Sequence, residues 1–83
     1  DSDETIVQAG IATLGMLADT DQTESALSAL LPFAKAQSWR LRMYLAYALK
    51  SFKREPAQAA LRELRNDDHL KVVAAALEGL LPT

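Results

Sequence analysis

The chain has 83 residues and a formal charge of −2, is 49% hydrophobic, and contains three Gly, three Pro and no Cys. Without Cys there is no disulfide framework and no thiolate zinc site, and this apolar content excludes a disordered chain, so a domain this short must hold itself by packing. Fifteen Ala and fourteen Leu against five Val and Ile together favour helix over sheet, so the expected fold is all-α.

The spacing predicts a first helix from about Asp3 to Ala18, with Ile6, Gly10, Thr13, Leu14 and Leu17 on its inward face. Asp21 followed by Glu24 has the form of a capping box, so a second helix should begin near Gln22 and turn Ala26, Leu27, Leu30 and Leu31 inward. Pro32 lacks the amide that would bond back to Ser28, which predicts a break before Phe33 and a further turn to about Gln37. Ser38 is placed to cap a third helix running to about Lys53, its core face formed by Leu41, Leu45, Ala48, Leu49 and Phe52. Glu55-Pro56 opens a short fourth helix to Arg65 that buries Ala60, Leu61 and Leu64. Asn66-Asp67-Asp68 ends it and caps a fifth helix from about His69 to Leu81, closed by Pro82. Connectors this short make neighbouring helices antiparallel.

Charge is segregated along these elements. Residues 1 to 34 carry six acids and no Lys or Arg, whereas residues 35 to 65 carry eight Lys and Arg against two acids. No run approaches the roughly 18 apolar residues of a membrane span, and the opening DSDET is acidic where a secretory signal is basic. The expectation is a soluble, cytoplasmic chain with no membrane partner.

Three segments superimpose: DETIVQAGIATLGML (3 to 17), SWRLRMYLAYALKSF (38 to 52) and DDHLKVVAAALEGLL (67 to 81). Ile6, Leu41 and Val72 then align, followed by Gly10, Leu45 and Ala76 and by Leu14, Leu49 and Leu80, although Leu70 competes with Val72 as the last anchor. The helices between share an Ala-Leu-x-x-Leu core, Ala26-Leu27…Leu30 and Ala60-Leu61…Leu64. A period of this size is that of a helical-pair solenoid.

This pattern of cap, aliphatic residue, Arg, small residues and Leu resembles HEAT-like repeats, in particular the short Ala-rich type named after phycobilisome lyases. Only the middle unit, Leu41-Arg42, has Arg directly after the aliphatic position; Val7 and Val73 stand there in the others. The resemblance implies an α-α superhelix of about two and a half helix pairs, with B helices near 3–18, 38–53 and 68–81 and A helices near 22–37 and 56–65. The first B helix lacks its A partner, so the chain is expected to belong to a longer protein with further repeats or domains.

On a wheel of about 100° per residue anchored at Leu41, the face away from the core collects Met43, Ala46, Tyr47 and Lys50, flanked by Arg40 and Arg54. The matching positions are Gln8, Ile11, Ala12 and Gly15 in the first helix and Ala74, Leu77, Glu78 and Leu81 in the fifth. The resemblance implies that this row lines a concave groove for partners. Arg40, Met43, Tyr47, Lys50 and Arg54 are therefore the candidate partner-binding residues, suited to an acidic peptide or helix; packing against a neighbouring unit is the other role open to Met43 and Tyr47. Trp39 is expected to anchor a loop to the core.

Arg40, Arg42, Lys50, Lys53 and Arg54 could also follow a phosphate backbone, against which stand the net acidity and the lack of a base-reading motif. Catalysis has little to work with. His69 is the only His, its neighbours Asp67 and Asp68 suit a helix start on capping grounds alone, and no G-x-S-x-G, H-E-x-x-H or Gly-rich phosphate loop is present. The expectation is a non-enzymatic interaction or scaffold module that needs no cofactor or metal. An accessory HEAT-like domain of a larger enzyme, and a nucleic-acid-binding repeat, are the alternatives.

Overall fold

The computed structural model describes residues 2–81, with side chains from Glu4 onward. Five helices form: α1 (Ser2–Gly15), α2 (Thr23–Leu30), α3 (Trp39–Leu49), α4 (Glu55–Leu64) and α5 (Leu70–Leu80), with a 3-10 turn at Leu31–Lys35 after α2. That turn contains Pro32, so the helix breaks where the missing amide requires it. No strand forms among the described residues, and no helix is long and apolar enough to cross a membrane.

The helices make two layers. α3 lies between α1 and α5 in one row, while α2 packs on α1, the 3-10 turn on α3, and α4 on α5 and α3 in the other. Within the row the helices run parallel. Ser38 meets Glu4 at one end of the α1–α3 pair and Ala48 meets Gly15 at the other; Trp39 meets His69 and Lys50 meets Glu78 in the same sense along α3–α5. The slab measures 32 × 29 × 18 Å, its shortest side matching two stacked helices.

One core fills the space between the layers. Ile11, Leu27, Leu30, Leu45, Leu49, Phe52, Leu61 and Val72 are buried, with Ala26, Ala46, Ala57, Ala75 and Ala76 among them. Val72 is fully buried and Leu70 is 83% exposed, so Val72 is the anchor of the last unit.

The phase of α1 departs from expectation. Ile6 is 69% exposed, Gly10 and Thr13 are exposed, and Leu14 and Leu17 are half-buried, whereas Ile11, expected outside, is 1% exposed. The cause is α3, which packs on the Ile11–Gly15 side of α1, so that Ile6, Gly10 and Thr13 are left exposed while Leu14 and Leu17 are only partly covered. Ala46, also expected outside, is fully buried because α3 is covered by α1, α5, α4 and the 3-10 turn, which widens its buried arc beyond half the helix.

The caps differ as well. The Asp21–Glu24 box does not form; Gln22 takes the N-cap position of α2 without a side-chain bond, and Thr23 is buried with its Oγ1 donating to the Ala18 carbonyl at 2.6 Å. Ser38 Oγ donates to Glu4 Oε2 at 2.9 Å instead of capping α3. α3 ends at Leu49, four residues early, because the amides of Ser51 and Phe52 bond back to Ala48 and Leu49, tightening the chain so that Phe52 turns into the core. At α5 the acceptor is His69 Nδ1, which receives the Lys71 amide at 3.2 Å.

Two glycines of α1 separate helix propensity from packing. A Cβ on Gly10 would meet nothing within 4 Å, whereas one on Gly15 would sit 3.1 Å from Ala48 Cβ and 3.3 Å from its Cα. Gly10→Ala is therefore expected to add about 0.5 to 1 kcal/mol of stability. Gly15→Ala is expected to lower stability by forcing α1 off the α3 backbone. Paired thermal melts check the opposite signs.

Candidate functional site

The strongest polar cluster lies where the loops before α3 and α5 meet. Arg42 Nε and Nη2 donate to the two Asp67 carboxylate oxygens at 2.7 and 3.2 Å, and Nη1 donates to the carbonyls of Ala36 and Gln37 at 2.6 and 3.1 Å. Asp67 also receives the His69 amide at 2.9 Å. The two side chains are only 15% and 11% exposed. Burial pushes the Asp67 carboxyl up, but the hydrogen bonds from Arg42 and from the His69 amide outweigh it and hold the group below its ordinary value of 3.8. Beside this pair, the His69 ring stacks on Trp39 with centroids 3.9 Å apart and planes at 11°. Trp39 is half-buried against the core, as an anchor should be, and the Arg40 guanidinium lies 4.8 Å from its ring centre. Asp67 and His69 thus serve the join between loops. Among the described residues, no three His, Asp or Glu side chains gather as metal ligands.

The five candidate binding residues do not make one patch. Arg40 is exposed at the start of α3, Met43 is half-buried against the core, and Lys50 Nζ bonds Glu78 Oε1 at 2.7 Å, which neutralises the middle of the row. Arg54 lies in the following loop, lining a shallow depression with Asp19, Thr20 and Lys53. Of the five basic groups considered for phosphate, Arg42 and Lys50 are committed to carboxylates.

Tyr47 belongs to something better defined. It lines a groove of about 350 Å³ between α1 and α3 together with Gln8, Ile11, Ala12, Gly15, Met16, Tyr44, Ala48 and Ser51. Four of these are the α1 positions that the repeat register matched to the α3 face, with Ile11 as the floor. Sequence reasoning missed Met16, Tyr44, Ala48 and Ser51. A signal existed: Arg40, Tyr44, Tyr47 and Ser51 follow a 4-3-4 helical stripe, opposite the small residue Ala12.

A parallel row of helices backed by a second layer, with equivalent loops gathered along one edge, defines an α-solenoid of stacked helical repeats. The chain belongs to the HEAT repeats, whose family model matches residues 1–81. The match is to HEAT repeats as a whole and defines no subgroup among them. No curated protein and no solved structure matches the chain. HEAT repeats generally serve as protein-interaction or scaffold modules and are typically non-catalytic.

Proposed function

We propose that this chain is a non-catalytic docking module that receives a protein partner on the α1–α3 side of its helix row, the apolar groove taking the partner's anchor side chain. The observation that carries this reading is the groove itself, where Met16, 80% exposed, and Tyr47, 44% exposed, flank a floor of small and apolar residues. Tyr44 and Tyr47 supply large, stiff contact surfaces, the residue type favoured at binding hot spots. Arg40 extends the same stripe at one end and suits an acidic group beside the anchor. Because Glu78 already holds Lys50, the acidic preference rests on Arg40 instead of the middle of the row.

Tyr47→Ala combined with Met16→Ser is expected to weaken partner capture by about 10-fold or more while leaving circular dichroism and melting temperature nearly unchanged. Lost stability with retained capture would place Tyr47 in the core and sink the reading. An unaltered fold with unaltered capture would move the docking surface elsewhere.

A further inference from the structure

The outer side of α5 carries an apolar ridge that the groove reading does not use. Leu70, Ala74, Leu77 and Leu81 fall at 4-3-4 spacing on the side of the helix opposite the packed Val72, Ala75 and Ala76. Leu70 is 83%, Leu77 45% and Leu81 65% exposed, and Ala74 is exposed between them. Two leucines in line along an 11-residue helix, continued by Leu81 at its C-cap, form a seam, where scattered surface apolar residues would not.

The charges beside the ridge select its occupant. Lys71 and Glu78 lie on the same flank of α5, two turns apart, one near each end. A twofold axis through the middle of the ridge pairs α5 with an antiparallel copy of itself. Leu70 then meets Leu81 of the second copy, and Ala74 meets Leu77, a small residue opposite a large one. The same operation keeps the charged flank on one side and reverses its order, so Lys71 of each copy lies beside Glu78 of the other. Glu78 holds Lys50 through Oε1 and is 53% exposed, so it can take this second cation. Leucine seam and charge order are thus both self-complementary, which is what an isologous contact needs.

We propose that the chain self-associates through the outer face of α5 as an antiparallel twofold dimer. A helix of this length spans about 16 Å, so the buried area falls at the small end of specific interfaces and the dimer is weak and reversible. It uses residues outside the α1–α3 groove, and the two proposals fail independently.

Sedimentation equilibrium of the whole chain from about 10 µM to about 1 mM tests it. The expected result is a reversible monomer–dimer equilibrium in which Leu77→Glu raises the dissociation constant by about 30-fold or more. Lys71→Glu and Glu78→Lys should each weaken the dimer alone, because each places like charges together at both ends of the seam. Their equimolar mixture should recover association as a heterodimer, since every cross-copy pair is then opposite in sign. Circular dichroism of each variant establishes that it is folded before it is compared. A chain that stays monomeric throughout overturns the proposal, as does a dimer indifferent to Leu77→Glu. A mixture of the two charge variants that fails to associate overturns it too.

Discussion

Arg42→Ala is expected to cost about 2 to 3 kcal/mol, because it strands the largely covered Asp67 carboxylate and leaves the Ala36 and Gln37 carbonyls without their donor. A domain of this length has roughly 4 to 12 kcal/mol in total, so the loss is a large fraction of its stability. Arg42→Lys should recover only part of the loss, since an ammonium cannot reach two carboxylate oxygens and two carbonyls from one plane. Urea denaturation of the wild type, both single variants and Asp67→Asn measures the set. A loss below about 1 kcal/mol would make the pair an ordinary surface contact. The same pair gives an acid dependence of fixed sign. Asp67 titrates lower in the folded chain than its ordinary 3.8, so its contribution is present above that value and disappears as pH falls through the folded one. The stability gap between wild type and Asp67→Asn should therefore narrow as pH falls below 3.8.

Phe52→Ala is expected to be of similar size, about 3 to 5 kcal/mol, through lost burial and the cavity left behind. Phe52 is 1% exposed although it lies beyond the end of α3, so its ring ties the α3–α4 connection to the core. Phe52→Leu should keep most of that tie and cost far less. A shift of the urea midpoint at constant slope would show that the effect is one of stability alone. A small effect from Phe52→Ala would mean that the connection closes over the gap.

The number of helices, their order and the burial of α3 and α5 were legible because Leu45, Leu49, Leu61 and Val72 are large, apolar and regularly spaced. The inner side of α1 was not. Its sequence offers two apolar stripes, one through Ile6, Gly10 and Thr13 and one through Ile11 and Gly15, and only the helix that packs against it decides between them. Ala46 was misplaced for a related reason: periodicity weights large side chains, and alanine at a crossing records proximity without adding hydrophobicity. Capping went astray where a tertiary partner outbid the local one. Ser38 turns to Glu4, and Asp67 turns to Arg42 while His69 caps α5.

The candidate site was half visible. Of the row that the register set outside on α1 and α3, Gln8, Ile11, Ala12, Gly15 and Tyr47 line the groove, Ile11 as its buried floor, whereas Met43, Ala46 and Lys50 do not. The basic character expected of the α3 face was not sustained, because a charge count along the chain is blind to Glu78 arriving from another helix.

The two edges of the parallel row are fastened by different means. Where α3 and α5 begin, Ser38–Glu4, Arg42–Asp67 and the Trp39–His69 stack hold neighbouring segments by directional contacts. Where they end, the neighbours meet through Gly15 on Ala48, Gly79 beneath Lys50, and one exposed ion pair. One rim is thus held by directional polar and aromatic contacts, and the other by close approach of helix backbones at glycine. The α1–α3 groove includes Met16 and Ser51 beside the Gly15–Ala48 contact, so its width at that end is set by how closely two backbones approach as well as by the side chains that line it.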